Sequence, residues 1–101
     1  MPRNQETVVC PFGEWTEITN SDVVSITFQA LGGGILIKYT SGQTSIDDSD
    51  KSGVLYKLGQ GEANRKISGL TSLSGANRVY ARPYQGGASG GSSVSVYVDH
   101  A

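Results

Sequence analysis

The sequence predicts a small all-β domain, an antiparallel β-sandwich of about six to eight short strands in a jelly-roll-like or immunoglobulin-like arrangement. Val, Ile, Thr and Tyr recur in short runs that turn residues interrupt, and 14 of the 101 residues are Gly. Several runs alternate apolar and polar residues, which is the pattern of a strand with one buried face. No stretch keeps a helical period over more than about 10 residues.

The predicted strands follow one another along the chain, and Gly, Pro, Asn or Ser separates most of them. The run 23–30 alternates well, the run 63–67 alternates with weak hydrophobicity, and 93–99 has the clearest pattern. Pro83 gives the strand before it the character of a sheet edge. The predicted strands are 7–10, 15–19, 23–30, 35–39, 54–58, 63–67, 78–84 and 93–99.

The connections between these strands are polar or rich in glycine. Residues 32–34 are three glycines that suit a hairpin, and 86–91 predict a flexible tip. Residues 41–53 form a long, acidic and solvated loop, and 68–75 form a loop with room for one helical turn. Alternation places these apolar residues in the core: Val24, Ile26, Phe28, Ile35, Ile37, Val79, Val94, Val96 and Val98.

Length and charge limit the functions that the chain can perform. The 101 residues fit a single domain, 1–101, in which the polar residues 1–6 are expected to form a flexible N-terminal arm. The net charge of −1 provides no long-range attraction to phosphate or anionic lipid, so we expect neither a nucleic-acid nor a membrane partner. The single cysteine excludes an intrachain disulfide. With no signal-like segment at its start, the chain is expected in the cytoplasm after synthesis.

The sequence lacks a recognisable set of catalytic residues. Cys10 is the only thiol, and His100 is the only imidazole, in a terminal position where fraying is expected. Asp48–Gly53 matches the first half of a calcium loop, but Gly59 stands where the last acidic ligand belongs. We therefore predict a non-enzymatic protein without cofactor or metal.

Aromatic residues and one arginine form the candidate interface. Tyr80, Arg82 and Tyr84 recur at a period of two, so they share one strand face, and Trp15 is the only tryptophan. Such residues are enriched in protein–protein interfaces, and they also suit a carbohydrate site. The alternative is that the rings complete the core of a twisted sheet.

Several short strings resemble small structural proteins of tailed bacteriophages and prophages. They are MPRNQET at 1–7, WTEIT at 15–19, GEAN at 61–64, GANRVYA at 75–81, and a terminal valine strand ending in His-Ala. The resemblance implies a virion protein made in the bacterial host cytoplasm, foremost a capsid decoration or cement protein that binds the major capsid protein or another virion protein.

Self-association is the second expectation, as a homotrimer first and a dimer second. It follows from the thin core of a Gly-rich domain, from the aromatic face, and from the strand 93–99, which must be central or covered by another chain. The alternative functions are a phage tail or host-recognition module that binds glycan, and a non-viral carbohydrate-binding domain.

Overall fold

The computed structural model describes residues 3–84 and 93–100, and within them the predicted alternation becomes eight strands. The strands form two four-stranded antiparallel sheets, which confirms the predicted all-β sandwich. The loop predicted at 68–75, with room for one helical turn, starts within a single 3-10 turn, Ile67–Gly69. The strands are β1 Glu6–Cys10, β2 Thr16–Glu17, β3 Ser25–Ala30, β4 Ile35–Thr40, β5 Val54–Tyr56, β6 Gly61–Lys66, β7 Arg78–Pro83 and β8 Val94–Asp99.

The strand order is that of a jelly roll. One sheet has the order β1-β8-β3-β6 and the other β2-β7-β4-β5. The chain thus pairs with itself like one long hairpin, β1 with β8, β2 with β7, β3 with β6 and β4 with β5, rolled into two layers. The contacts of β3 with β8 and of β4 with β7 close the roll. The edge character predicted from Pro83 is therefore wrong, because β7 lies between β2 and β4 and Pro83 is only its last residue. Eight strands in two Greek keys define this architecture.

The core lies between the sheets and contains almost all of the predicted apolar residues. Alternating positions of β3, β4, β7 and β8 point inward, so each of these strands contributes residues from one face. The predicted core residues that are confirmed as buried are Ile26, Phe28, Ile35, Ile37, Val79, Val94, Val96 and Val98.

The prediction for Val24 is wrong, because that side chain is 74% exposed. The chain bends at Val24 and β3 begins only at Ser25, so the alternation does not extend back to this position. The neighbouring Val23 is buried instead, and its N–H donates to the carbonyl of Asn77.

The strand predicted from 93–99 is central, because β8 lies between β1 and β3. His100, expected to fray, is buried, and its backbone N–H donates to the Arg3 carbonyl at 2.8 Å. Arg3, in the expected arm, also donates from Nε to the Ile18 carbonyl at 2.6 Å. Residues 1–2 of that arm and the predicted tip 86–91 lie outside the described residues.

Candidate functional site

The segment 41–53 packs over the outer face of the β2-β7-β4-β5 sheet. On β7, Tyr80 and Arg82 alternate with the core residues Val79 and Ala81, as the sequence predicts. Both outward side chains are nevertheless only 6% exposed, because the segment covers them. The backbone N–H of Thr44, for example, donates to the Tyr80 hydroxyl at 3.1 Å. The segment's own residues are mostly exposed, as expected of a solvated loop. The expectation of an open aromatic face is wrong for Tyr80 and Arg82.

Trp15 lies beneath the same segment and anchors it. Its indole N–H donates to the Asp50 carbonyl at 2.7 Å, and its backbone N–H donates to the Asp48 carboxylate at 3.3 Å. Gly53 passes so close that an added Cβ would lie 3.3 Å from Trp15 Cη2 and 2.9 Å from the Ile37 carbonyl oxygen. Trp15 is consequently buried and cannot act as an open stacking platform.

Arg82 connects the covering segment to Trp15. Its Nη1 donates to the carbonyls of Asp48 and Asp50 at 2.6 and 3.2 Å, and its guanidinium carbon lies 5.5 Å from the centroid of the Trp15 ring. Such a cation–π contact is stronger away from water. The arginine is thus held in one orientation by backbone dipoles and a ring.

The acidic side chains of this segment stabilise its own turns. Asp47 accepts hydrogen bonds from the N–H and hydroxyl of Ser49. Asp50 accepts from the hydroxyl and N–H of Ser52 at 2.5 and 3.0 Å, and it lies 3.1 Å from Lys38 Nζ. The Ser52 hydrogen bonds, followed by Lys38, lower the pKa of Asp50 to about 2. Among the described residues, no group of three or more His, Cys, Asp or Glu could hold a metal ion.

A cleft of about 490 Å³ lies where the segment meets the sheet. Arg82 and Tyr84 line it, so the structure brings two of the four predicted interface residues together in one depression. Tyr84 is 47% exposed, whereas Trp15 lies under Arg82 and Tyr80 lies under Thr44. The cleft is completed by Phe12, Gly13, Leu36, Asp48, Lys51 and Pro83.

Cys10 and His100 do not form a pair. Cys10 pairs with Val94 at one end of the β1–β8 ladder, whereas His100 follows the other end. A strand rises about 3.3 Å per residue, so the six residues from Val94 to His100 span about 20 Å. Burial raises the pKa of the Cys10 thiol to about 11, so the thiol is protonated at neutral pH.

An exposed apolar edge is a feature that the sequence interpretation missed. β5 is the outer strand of its sheet, and Val54, Leu55 and the following Leu58 are 49%, 37% and 64% exposed. Leu31 and Leu58 flank the hydrogen bond from the Gly59 N–H to the Ala30 carbonyl. Val54 pairs with the core-facing Ile37 and Leu55 pairs with the outward-facing Leu36, so these two side chains lie on opposite faces of the strand. We call Leu31, Val54, Leu55 and Leu58, at this edge and the turn beside it, the β5 edge patch. Its sequence signal was the predicted strand 54–58, whose first three residues carry no charge and no proline.

Within the part of the chain that the structure describes, no helix is long and apolar enough to cross a membrane. Neither a protein-family model, nor a curated protein, nor a solved structure matches this chain.

Proposed function

We propose that this chain is a non-enzymatic structural protein of a bacteriophage particle, a decoration protein that self-associates and binds the capsid. The β5 edge patch is the observation that carries the proposal. An outer strand presents unpaired N–H and C=O groups, and natural proteins usually protect such an edge by keeping it very short, or with lysine, proline, a bulge or a covering loop. Val54–Tyr56 is short and Lys57 follows it, but its own three residues include neither lysine nor proline, and they add exposed aliphatic side chains.

A second copy of the chain is the partner that this edge fits. Two β5 strands can pair antiparallel across a twofold axis, which continues the sheet from one copy into the next and brings the two patches together. This geometry favours a dimer over the trimer that the sequence argument placed first. The central position of β8 removes one reason for the trimer, because that strand is already paired on both sides.

Two further observations support a place in the virion. The strings at 1–7, 15–19, 61–64 and 75–81 resemble small structural proteins of tailed phages. The jelly roll is an architecture of viral capsid domains, which is support by analogy at the level of the fold. A weakly charged surface suits a static role on a shell.

Co-sedimentation with empty shells, assembled from the major capsid protein of the same phage, tests the proposal. We expect the wild-type chain to pellet with the shells. Leu58→Glu should bind about tenfold more weakly or worse, because a monomer loses the second attachment point of a dimer. Leu73→Glu, at an exposed leucine outside the patch, is the matched control and should bind normally. No binding by the wild-type chain, or equal binding by all three chains, would contradict the proposal.

A further inference from the structure

We infer that the cleft beside Arg82 is a binding site for a carboxylate-bearing sugar, a function beyond the assembly role. The starting observation is the state of the Arg82 charge. The side chain is 6% exposed, yet no carboxylate lies within ion-pair distance of it among the residues that the structure describes. Its hydrogen bonds go to two backbone carbonyls, both from Nη1, and leave the charge without a counter-ion in the described residues.

Arg78, four residues earlier on the same face of β7, shows what a structural arginine looks like in this fold. Its Nη1 donates to Glu17 and its Nε donates to Asp22, both at 2.8 Å. The charge of Arg78 is therefore fully paired within the chain. Nε and Nη2 of Arg82 have no such acceptor in the described residues, although that arginine is held in place by the Trp15 ring.

The surroundings of Arg82 favour an anion. Among the residues that line the cleft, Arg82 and Lys51 are cationic and Asp48 alone is acidic, and the Asp48 carboxylate already accepts the N–H of Trp15. A guanidinium fixed in one orientation presents its free N–H groups as a fork that matches a carboxylate. A nearby ammonium adds attraction without further geometric demand.

The aromatic lining favours a sugar as the carrier of that carboxylate. Phe12 is half-buried and Tyr84 half-exposed, and both line the cleft beside Leu36. The C–H face of a pyranose ring is apolar and packs on such flat side chains, while its hydroxyls reach solvent. A volume of about 490 Å³ accommodates a small ligand of one to two rings. Uronic and sialic acids share this chemistry.

Isothermal titration calorimetry of the full chain tests the inference, with 3′-sialyllactose and trigalacturonate as acidic probes and lactose, the neutral parent of the first, as the uncharged probe. We expect at least one acidic probe to bind about tenfold more tightly than lactose or better. The probe that binds identifies the class, sialic or uronic. The inference is overturned if lactose binds equally well, if neither acidic probe binds at about 10 mM, or if a triglutamate peptide binds more tightly than both.

Two variants connect the binding to the cleft. Lys51→Glu reverses an exposed charge without touching the core, and we expect it to weaken the acidic probe about tenfold. Lys66→Glu, on β6 in the other sheet, is the matched control and should leave affinity unchanged. Arg82→Lys keeps the positive charge but removes the forked N–H groups of the guanidinium, so it should weaken binding of the acidic probe by at least as much as Lys51→Glu. Unchanged Trp15 fluorescence shows that the fold of this variant is intact. Equal effects of Lys51→Glu and Lys66→Glu would refute the site. Since Lys51 lies outside the β5 edge patch, such a result would leave the assembly proposal standing.

Discussion

Gly53→Ala adds one methyl group where the segment 41–53 crosses its support. The new Cβ would lie 2.9 Å from the Ile37 carbonyl oxygen and 3.3 Å from Trp15. The oxygen belongs to β4, where Ile37 pairs with Val54, so it cannot retreat without disturbing the sheet. Overpacking of this kind costs about 1–3 kcal/mol, which in a domain of this size lowers Tm by roughly 5–20 °C.

Gly69→Ala is the matched control, because it makes the same change where the added methyl group has room. The nearest atom to its added Cβ is Arg65 Nη2 at 3.7 Å, and Gly69 does not have a positive φ. Replacing such a glycine removes freedom from the unfolded chain. We expect Gly69→Ala to be neutral or to stabilise by about 0.4–1 kcal/mol.

Urea unfolding, followed by circular dichroism and by the emission of the single tryptophan, measures both variants. Gly53→Ala should also shift the native emission to the red, because the segment that covers Trp15 is displaced. A Gly53→Ala chain within about 0.5 kcal/mol of wild type, with unchanged emission, would refute the claim that this segment is tightly packed on the sheet.

Three further results are expected. Phe28→Ala should lose about 3–5 kcal/mol in urea unfolding, because the buried ring also packs edge-on against Tyr56 at 5.0 Å; a loss below about 1 kcal/mol would contradict the core. The Ser52 hydrogen bonds lower the pKa of Asp50 from 3.8 to about 2. The contribution of the Asp50 carboxylate to the stability of the folded state is therefore complete above pH 3.8 and is lost as the pH falls toward 2. Trp15 emission should report that loss, and Asp50→Asn should remove this pH dependence. Cys10, fully buried with its pKa raised to about 11, should react with a thiol reagent at pH 8 about 100-fold more slowly in the native protein than in urea; comparable rates would place the thiol at the surface.

The fold could be predicted because its strands are locally encoded. Phe28, Val96 and Val98 each lie in a run whose alternation assigns one face to the core, and these assignments hold. The prediction that Val24 is buried failed, because the alternation continues through this position in the sequence although the backbone bends there. Periodicity alone cannot detect this bend, beside which the Val23 N–H donates to the carbonyl of the distant Asn77.

The site could be predicted only in part, because its formation depends on long-range contacts. The period-two pattern placed Tyr80 and Arg82 on one strand face, but nothing local indicated that residues 41–53 would cover them. That cover depends on contacts such as Trp15 with Asp50 and Arg82 with Asp48, which join residues more than 30 positions apart. Gly53 looked like the turn glycine of a half calcium loop, whereas its role is to permit close approach to Trp15.

Sedimentation equilibrium at micromolar concentration tests most directly the claim that the chain assembles through the β5 edge patch. We predict a wild-type species of twice the 10.6 kDa chain mass, a monomer for Leu58→Glu, and an unchanged dimer for Leu73→Glu. A trimer that Leu58→Glu does not dissociate would place the contact elsewhere on the molecule. A wild-type species of 10.6 kDa would contradict self-association altogether.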